Sequence, residues 1–597
     1  MELIYVDVQE RSFPIIRSCP FVPSPYKASC VFLDLVGLLF STLYLSGENM
    51  RVMQIHPHDD VLVALEDFQK GDIVEYKGQN YTLVDNIPAK HKFAVRDLDR
   101  GKRLKMYGFV VGEVQQSIRV GQLITPANLT HATEDLQGIS QTKAWSPPDV
   151  SRWSDSTFAG YERDDGKVGT RNYWLVVPLV FCENRNLRVM RDSMVEELGY
   201  KSDSSYRHYT RSLIKMAAAG KTSAEIRETT FEESNAGQNV KQQFPNIDGP
   251  KFLAHDGGCG GSYGDALNLC GLLAGYINHP NVAGATVLSL GCQKSQIADL
   301  ENQIHARNAN FSKPLLIFEQ QQIGTEQALM SKAIRHTFAG LIDANHAQRE
   351  PAALSHLTVG MECGGSDGFS GISANPAIGY CSDLIVALGG AVILAEFPEL
   401  AGCENELASR CTERATAQRF LDLMEGYEKQ LSIDGIHFDE NPSPGNIRDG
   451  LVTDAMKSAG AARKGGTSPI TDVLDYPEQL TRQGLNLLCT PGGDVESTTA
   501  MAGSGATAML FSTGLGTPTG NPISPVLKVS SNSTMARKMP DIIDCDAGGI
   551  ITGEETIEQV GGRLLDHLID TASNLRRSKA ELLGQDDFIP WKRNLTF

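Results

Sequence analysis

Tyr173 to Phe181 reads YWLVVPLVF, and its composition indicates the fold class of the chain. It is apolar along its whole length and rich in β-branched and aromatic residues, which is typical of a strand buried on both faces. Strands of this kind occur in parallel sheets, where helices cover both sides. We therefore predict an α/β fold with a parallel sheet built around this strand.

The sequence beyond this strand alternates between helix-like and strand-like runs. This alternation predicts βαβ units, and two later apolar runs predict a second α/β core. The helix-like runs are NLRVMRDSMVEEL (186–198) and DALNLCGLLAGYIN (265–278), the strand-like runs are KFLAHD (251–256), ATVLSLG (285–291) and PLLIFEQ (314–320), and the later runs are LIVALGGAVILAEFPEL (384–400) and ATAMLFSTGL (506–515).

The chain before the α/β region has a different pattern. Short β-rich runs separated by glycines predict a small all-β module over residues 50–129. Residues 130–158 are polar, contain a Pro-Pro pair and lack a sustained period, so we interpret them as a linker. The remainder divides into an α/β domain over 159–345 and a C-terminal α/β catalytic domain over 346–597.

Residues 1–49 do not share the patterning that begins at Met50. Their apolar stretch, Val31 to Leu45, contains Asp34 and is shorter than the roughly 20 residues that cross a bilayer. We interpret this segment as an extension, added or mis-started, outside the catalytic unit. A targeting role is the alternative.

Composition and charge limit the functions of the chain. It has 597 residues with 41% hydrophobic content, which excludes disordered and fibrous proteins. The net charge of −18 opposes binding to nucleic acid or anionic lipid, and an anionic substrate would need a local cation. Twelve cysteines are too few for a disulfide scaffold. We therefore expect reduced thiols in a cytoplasmic protein.

Glycine-rich loops with a cysteine follow three apolar strands. The loops are FLAHDGGCGGSYGD around Cys259, VLSLGCQKSQ around Cys292 and LTVGMECGGSDGFSGISANP around Cys363, with a weaker case at Cys182. Ligands of open parallel sheets bind at the carboxyl ends of the strands, so these thiols could share one metal. Buried free cysteine acting as a small hydrophobe is the alternative, because the spacing matches no local metal motif.

Four titratable residues are candidates for acid–base chemistry. His255 ends a strand, and Asp367 lies in a loop too rich in glycine to be explained by packing. Glu396 and Glu399 close an apolar run, where carboxylates handle protons or hold a divalent ion. The alternatives are a structural histidine and a solvated helix face.

Several motifs together resemble the altronate dehydratase and galactarate dehydratase family of sugar-acid hydro-lyases. The resemblance extends from about Met50 to Phe597, and the β module is similar to the family's SAF domain, which has a β-clip fold. The EFPELAGCENEL segment favours the altronate branch, and ITGEETIEQVGGRLL is similar to the galactarate branch. The motifs are IHPHDDVLVAL (55–65), HKFAVRDL (91–98), YGFVVG (107–112), DGKVGTRN (165–172), LGCQ (290–293), ECGGSDGFSGISANPAIGY (362–380), NPSPGN (441–446) and GTPTGNP (516–522).

The resemblance implies a dehydration reaction, in which D-altronate loses water to give 2-keto-3-deoxy-D-gluconate. Galactarate dehydration and sulfolactate sulfo-lyase chemistry are the enzymatic alternatives, and a sugar-acid-binding protein or a redox iron–sulfur protein is the alternative outside this chemistry. The expected partner is a small-molecule sugar acid, with no nucleic acid or membrane, and we expect a homodimer.

The resemblance also implies a dependence on ferrous iron, with Mn²⁺ as a substitute. We expect the metal to be held by His255, Cys259, Cys292 and Cys363, and a three-cysteine iron–sulfur cluster is the rival arrangement. Catalytic acid and base roles fall to His255 and Asp367, with Glu396 or Glu399 in reserve. The residues expected to bind the substrate are Arg171, Asn172, Ser366, Asn375 and Asn446.

Overall fold

The computed structural model describes residues 51–136, 144–200, 205–231 and 241–594. The extension over residues 1–49 lies outside the described residues, as does the middle of the predicted linker. Within the described ranges, no helix is long and apolar enough to cross a membrane.

The first part of the structure is the small all-β module, whose strands pair antiparallel in three small sheets, in the orders β1-β2-β5, β3-β4 and β6-β7-β8. Leu62, Phe68 and Phe93 are buried at its centre, which confirms the predicted β class. Its strands are β1 (Val52–Met53), β2 (Val61–Ala64), β3 (Ile73–Tyr76), β4 (Gln79–Thr82), β5 (Lys92–Ala94), β6 (Arg103–Met106), β7 (Phe109–Val114) and β8 (Leu129–Thr130).

The second part contains a four-stranded parallel sheet and a small antiparallel sheet. The parallel sheet has the order β12-β11-β13-β14 and the antiparallel one has the order β10-β9-β15. Its strands are β9 (Thr157–Glu162), β10 (Val168–Gly169), β11 (Tyr173–Pro178), β12 (Gly249–Phe252), β13 (Val282–Ser289), β14 (Leu315–Glu319) and β15 (Glu350–Ala353). Its helices are α1 (Asn184–Met194), α2 (Ser205–Ala218), α3 (Ser223–Arg227), α4 (Tyr263–Asn278), α5 (Ile297–Arg307), α6 (Gln320–Ile323) and α7 (Glu326–Ala344).

Strand β11 is buried on both faces, as its sequence predicts. Leu175 and Val177 lie in the core that includes α4, whereas Trp174 and Val176 lie in the core that includes α1 and α7. Successive side chains of a strand point to opposite faces, so a uniformly apolar run places helices on both sides of the sheet.

The third part is a seven-stranded sheet in the order β18-β19-β17-β16-β20-β21-β22, with all strands parallel. Its strands are β16 (Thr358–Cys363), β17 (Ala391–Leu394), β18 (Ile470–Leu474), β19 (Gly484–Leu488), β20 (Ala508–Thr513), β21 (Val526–Ser530) and β22 (Cys545–Asp546). Its helices are α8 (Ala374–Ala387), α9 (Glu404–Arg410), α10 (Arg414–Ile433), α11 (Pro444–Arg448), α12 (Asp454–Ala461), α13 (Asp494–Ser504), α14 (Ser533–Lys538), α15 (Gly549–Thr552), α16 (Ile557–Ala572) and α17 (Lys579–Leu583).

The two parallel sheets are joined through the contact between α4 and α13. A Cβ atom added to Gly275 would lie 2.1 Å from the carbonyl oxygen of Gly503, so only glycine permits this approach. Residues of both sheets share one continuous core around these helices.

The β module packs on the seven-stranded part through two lysines. Lys90 Nζ lies 3.0 Å from a carboxylate oxygen of Asp449 and 3.1 Å from one of Asp367. Lys92 is fully buried, and its ammonium donates to the carbonyl oxygen of Gly450 at 2.7 Å. The predicted α/β class with a small amino-terminal β module is therefore confirmed.

Candidate active site

Two adjacent central strands end beside one another at the carboxyl edge of the seven-stranded sheet. Cys363 is the last residue of β16, and Glu396 and Glu399 follow β17. The Cys363 sulfur and one carboxylate oxygen of each glutamate all lie within 4.8 Å of one another. The strand-end positions that the sequence singled out are therefore brought together by the pairing of β16 with β17.

Two lysines from the α12 region complete this group. Lys464 Nζ lies 2.6 Å from a carboxylate oxygen of Glu396 and 2.7 Å from Cys363 Sγ. Lys457 Nζ lies 2.7 Å from a carboxylate oxygen of Glu399, to which the Cys363 thiol also donates at 2.8 Å. We call these five residues, Cys363, Glu396, Glu399, Lys457 and Lys464, the buried charge cluster.

The cluster is almost completely removed from water. The side chains of Glu396, Lys464 and Glu399 are 0%, 1% and 2% exposed, and Lys457 is the most open at 9%. Isolated charges at such positions would cost several kcal/mol each, and only close pairing makes them tolerable. Lys457 also donates to the side-chain oxygen of Asn441, at 3.1 Å, so the cluster reaches the NPSPGN loop.

The environment drives the pKa values of the two glutamates apart. Burial raises the pKa of Glu396, and the charge of Glu399 adds to this, although Lys464 opposes it. Burial alone would raise the pKa of Glu399, but Lys457 and Lys464 outweigh it and lower this pKa. Carboxyl groups with pKa values shifted in opposite directions are suited to act as acid and base at one pH.

The thiol and the ammonium groups of the cluster have fixed protonation states near neutral pH. Burial, followed by the charges of Glu396 and Glu399, raises the pKa of Cys363 well above its usual value, so it is a neutral thiol. Burial would lower the pKa of Lys464, but the neighbouring thiol and carboxylates raise it well above its usual value.

Glu362 forms a carboxyl pair with Glu396. Burial and the neighbouring Glu396 raise the pKa of Glu362 well above its usual range. Its Oε2 accepts a hydrogen bond from the hydroxyl of Ser497 at 2.6 Å. The Oε1 atoms of both glutamates are buried without another partner. One proton shared between the two carboxyls satisfies both atoms.

The backbone of Glu396 is in the left-handed region, with φ 66° and ψ 64°. This conformation costs a non-glycine residue about 1–3 kcal/mol and is concentrated at functional sites. The hydroxyl of Thr490 accepts from the Glu396 amide at 2.8 Å. The turn aims the Glu396 carboxylate back at Lys464 and at the end of β16.

Asp367 lies nearby, but its oxygens are already satisfied. Oδ1 accepts from the hydroxyl groups of Ser370 and Ser531, each at 2.8 Å, and from backbone amides of its own loop. Oδ2 accepts from Asn532 and pairs with Lys90. These contacts make Asp367 an anchor of the glycine-rich loop, and its role in proton transfer stays a prediction.

Three residues predicted to bind substrate instead hold the fold together. Arg171 is buried and pairs through two nitrogens with Glu581, at 2.8 and 3.0 Å. The Asn172 side chain donates to the carbonyl oxygens of residues 246 and 344, and Asn375 bridges residues 460 and 512. The donors of Arg171, Asn172 and Asn375 are therefore engaged by internal partners, and their role in substrate binding stays a prediction.

Ser366 and Asn446 connect two of the motif loops. The side-chain amide of Asn446 donates to the carbonyl oxygen of Ser366 at 2.7 Å, and both residues are buried. Asn446 also closes a capping box with Ser443 at the start of α11. This contact holds the NPSPGN loop against the CGGSDG loop, beside the buried charge cluster.

The predicted metal site of His255, Cys259, Cys292 and Cys363 is not formed as one group. Cys259 and Cys292 are exposed and belong to the four-stranded sheet, whereas Cys363 is buried in the charge cluster. His255 Nε2 donates to the Pro178 carbonyl oxygen at 2.7 Å, and its Nδ1 accepts from the amide of residue 257. Both imidazole nitrogens of His255 thus have hydrogen-bond partners within the protein, and its roles as ligand and base stay predictions.

Sequence reasoning did not single out Lys457, Lys464 or Glu362. Lys464 lies in AARKGGT, where a basic pair before glycines is typical of an exposed loop. Glu362 had a usable signal, because a carboxylate inside the apolar run TVGMEC has to be buried with a partner.

The charge cluster does not fit a metal ion in the arrangement observed. Cys363, Glu396 and Glu399 offer suitable donor atoms, and of the described residues only they form such a close group. However, Lys464 already occupies hydrogen-bonding positions on the sulfur and on Glu396, and Lys457 does so on Glu399. The two ammonium groups provide the positive charge that a divalent ion would otherwise supply.

Comparison with known protein families gives three consecutive matches. Residues 50–132 match the altronate/galactarate dehydratase SAF domain. Residues 160–345 match the second domain of D-galactarate dehydratase/altronate hydrolase. Residues 354–596 match the C-terminal domain of D-galactarate/altronate dehydratase.

Individual relatives match along most of their length. The chain is 31% identical to an altronate dehydratase of Bacillus subtilis, over 87% of this chain and 95% of the relative. It is also 31% identical to an altronate dehydratase of Escherichia coli, over 90% of this chain and 98% of the relative. A galactarate dehydratase (L-threo-forming) of Escherichia coli is 28% identical, over 89% of this chain and 94% of the relative.

Proposed function

Because the chain belongs to the altronate/galactarate dehydratase family and is a hydro-lyase, we propose that it converts D-altronate into 2-keto-3-deoxy-D-gluconate and water. The two altronate dehydratases are 31% identical to the chain and the galactarate dehydratase is 28% identical, which favours the aldonate. Galactarate is the second candidate substrate.

The observation that carries the proposal is the buried charge cluster at the carboxyl edge of the central strands. Dehydration removes the proton on C2, breaks the bond from C3 to its hydroxyl group and releases water. The resulting enol then becomes the ketone. Loss of the C2 proton places a second negative charge next to the substrate carboxylate, and stabilising that charge is the main physical difficulty.

Lys457 and Lys464 are suited to stabilise that charge. Both are ammonium groups in a region of low dielectric, where a fixed positive charge acts more strongly than in water. Lys457 is the more exposed of the two and borders the NPSPGN loop through Asn441. We assign to Lys457 the first contact with the substrate carboxylate.

The carboxyl groups divide the two proton transfers between them. Glu399 has a lowered pKa and is therefore ionised, so it is the proposed base that takes the C2 proton. Glu396 and Glu362 share a proton, and this pair is the proposed acid that protonates the departing hydroxyl group.

The test is an anaerobic assay of the full chain, supplied with ferrous iron, against D-altronate, galactarate, D-glucarate and sulfolactate. We expect a 2-keto-3-deoxy acid to form from D-altronate with the highest kcat/KM. Turnover of galactarate alone would replace the proposed substrate, and the absence of turnover with all four acids would refute the proposal.

A matched pair of variants tests the assignment of the base. Glu399→Gln keeps the shape of the side chain and removes its charge, so we expect kcat to fall about 10²–10⁴-fold. Glu404→Gln is the control, because Glu404 accepts from the Gly402 amide at the start of α9 and is not a member of the buried charge cluster. Equal activity of the two variants would remove Glu399 from the proposed mechanism.

A further inference from the structure

Three neighbouring parallel strands of the second part each lead into a loop with an exposed cysteine. Cys259 follows β12, Cys182 follows β11 and Cys292 follows β13, and these strands are adjacent in the sheet. Because the strands are parallel, their carboxyl ends lie at one edge. We call these residues the thiol triad.

Hydrogen bonds hold the three loops of the triad together. The amide of Phe181 donates to the carbonyl oxygen of Gly257 at 3.0 Å, and the amide of Lys294 donates to that of Gly258 at 2.9 Å. The hydroxyl of Ser295 donates to the carbonyl oxygen of Leu179 at 2.5 Å. Each bond joins a residue within three positions of one cysteine to a residue within three positions of another.

Glycine is required where the loops approach one another. Gly258 has a φ of 96°, and a Cβ atom there would lie 2.3 Å from the carbonyl oxygen of Leu179. Gly291, which precedes Cys292, has a φ of 123°, and its Cβ would lie 2.6 Å from the side chain of Gln321. Gly258 lets the Cys259 loop close against the segment before Cys182, and Gly291 lets the Cys292 loop approach α6.

Cys259 and Cys292 lie near enough to Cys182 to interact with it electrostatically. The three side chains are therefore neighbours in space as well as in the order of the strands. A cysteine binds a metal as the thiolate, so binding of a metal centre among the three releases their protons.

The separation of the thiols distinguishes between kinds of metal centre. With metal–sulfur bonds of about 2.3 Å, thiolates around one tetrahedral ion stand about 3.8 Å apart. The triad is more open than this, because its three sulfurs do not all lie within 4.8 Å of one another. A polynuclear centre, whose cysteines bind different iron atoms, accepts the wider spacing.

The protein shelters one side of the triad. A cavity of about 60 Å³ next to Cys259 is lined by Phe181, Ser262, Trp591 and Lys592, among others. The ammonium of Lys592 pairs with Asp256 at 2.7 Å and lies on the same side. Phe181 and Trp591 give the cavity an apolar wall, and a hydrophobic shell controls the access of solvent to a metal centre.

We propose that Cys182, Cys259 and Cys292 bind a [4Fe–4S] cluster, each thiolate binding one iron and the fourth iron having no protein ligand. His255 is not among these proposed ligands, since both its nitrogens have hydrogen-bond partners within the protein, and it positions the Cys259 loop through the amide of residue 257. An iron with an open position supplies a Lewis acid for oxygen ligands. The site goes beyond the proposed function, which does not depend on it.

The test measures the cluster directly. The full chain is reconstituted anaerobically with ferrous iron and sulfide, and its iron, acid-labile sulfide and visible absorption are determined. We expect about four iron and four sulfide per chain, with a broad visible absorption that is bleached by air. Iron or Mn²⁺ uptake that does not require sulfide, or the absence of the absorption band, would overturn the proposal.

Serine variants identify the ligands. Cys182→Ser, Cys259→Ser and Cys292→Ser are each expected to lose most of the absorption band, and the exposure of these residues allows the apoprotein to keep its fold, as checked by circular dichroism. Cys363→Ser is the control and is expected to keep the full cluster. Loss of the band in Cys363→Ser, or its retention in Cys182→Ser, would overturn the ligand assignment.

This experiment and the dehydration assay fail independently. A chain that dehydrates D-altronate but binds no cluster would refute only the cluster site. A chain that binds the cluster but dehydrates none of the four acids would refute only the proposed function.

Discussion

Lys464 and Lys528 are both fully buried, but only the ammonium of Lys464 has hydrogen-bond partners. Lys464 touches Cys363 and Glu396, and its pKa is raised. Lys528, on β21, has no hydrogen-bond partner for Nζ, which lies 3.1 Å from the centre of the Phe511 ring. The same residue type is therefore a charged partner at one position and an unpaired amine at the other.

Replacing each lysine by methionine separates these roles. Lys464→Met leaves buried carboxylates without their partner, so we expect the free energy of unfolding to fall by about 3–5 kcal/mol. Lys528→Met removes an unpaired polar group from the core and should leave stability unchanged or raise it. Urea unfolding measures the free energy of unfolding of both variants. If the two substitutions lowered it equally, Lys464 would not be a specific partner of the cluster.

The pH dependence of stability follows from Lys528. Burial lowers the pKa of Lys528 to about 7, whereas an unfolded chain has the usual value of 10.5. Between these values the unfolded state binds more protons, so the contribution of Lys528 to stability rises with pH, by up to about 1.4 kcal/mol per unit. Below about pH 7 the cost of burying the charged amine is fully present.

Lys528→Met isolates this contribution. We expect the free energy of unfolding of the wild type, minus that of the variant, to rise between pH 7 and pH 10. Other buried lysines contribute equally to both proteins and cancel in the difference. A constant or falling difference would show that Lys528 is charged in the folded state above pH 7.

Side-chain roles were harder to predict than side-chain positions. Glu396 and Glu399 were identified because they follow an apolar run. Arg171 was assigned to substrate because a guanidinium fits a carboxylate, yet the carboxylate it binds is Glu581, 410 positions along the chain. Local sequence does not reveal such a partner, and it equally hides the burial of Lys464.

Among the structural elements, α4 and α13 form a close contact that joins the two parallel sheets. Gly275→Ala would place a methyl group 2.1 Å from the carbonyl oxygen of Gly503, so the helices must separate. We expect a loss of about 1–3 kcal/mol in the free energy of unfolding. Thermal unfolding of the purified wild type and of the Gly275→Ala variant measures this loss.

Gly426→Ala is the control for this change. Gly426 lies in the middle of α10, and a Cβ atom there would meet nothing within 4 Å. Alanine should therefore stabilise the chain by up to about 1 kcal/mol, through helix propensity alone. If Gly275→Ala were equally stabilising, the close approach of α4 and α13 would be refuted.

The elements themselves were largely predictable. The apolar run of β11 and the helical period of α4 are strong local signals, because burial on both faces or on most of a helix leaves few polar residues. The order of the strands is not a local property. The strand order places Cys182, Cys259 and Cys292 at one edge of the four-stranded sheet and Cys363 in the seven-stranded sheet. The spacing of these cysteines along the chain does not reveal this grouping.

At the scale of the whole molecule, the net charge of −18 opposes the approach of an anionic substrate. The lysines that would bind the carboxylate are buried, so they offset little of this repulsion outside the site. Raising the ionic strength from about 10 to about 100 mM shortens the screening length from about 30 to about 10 Å. We therefore expect KM to fall at least about twofold, with kcat unchanged.

Steady-state kinetics with D-altronate at several salt concentrations measures this effect. Galactarate carries two carboxylates, so its KM should depend more steeply on salt concentration than the KM for D-altronate. A KM that rises with salt would mean that a local positive field at the entrance outweighs the charge of the whole molecule.

The docking of the β module through Lys90 and Lys92 has a consequence for the time course of protein synthesis. Lys90 and Asp449 are 359 positions apart, so at about 5–20 residues per second the partner of Lys90 emerges about 20–70 s later. The module is small enough to fold during this delay, with both lysines still in water. Lys92 then changes from a charged surface residue, with the usual pKa of 10.5, into a buried one with a pKa of about 7, so docking releases a proton at a pH between these two values.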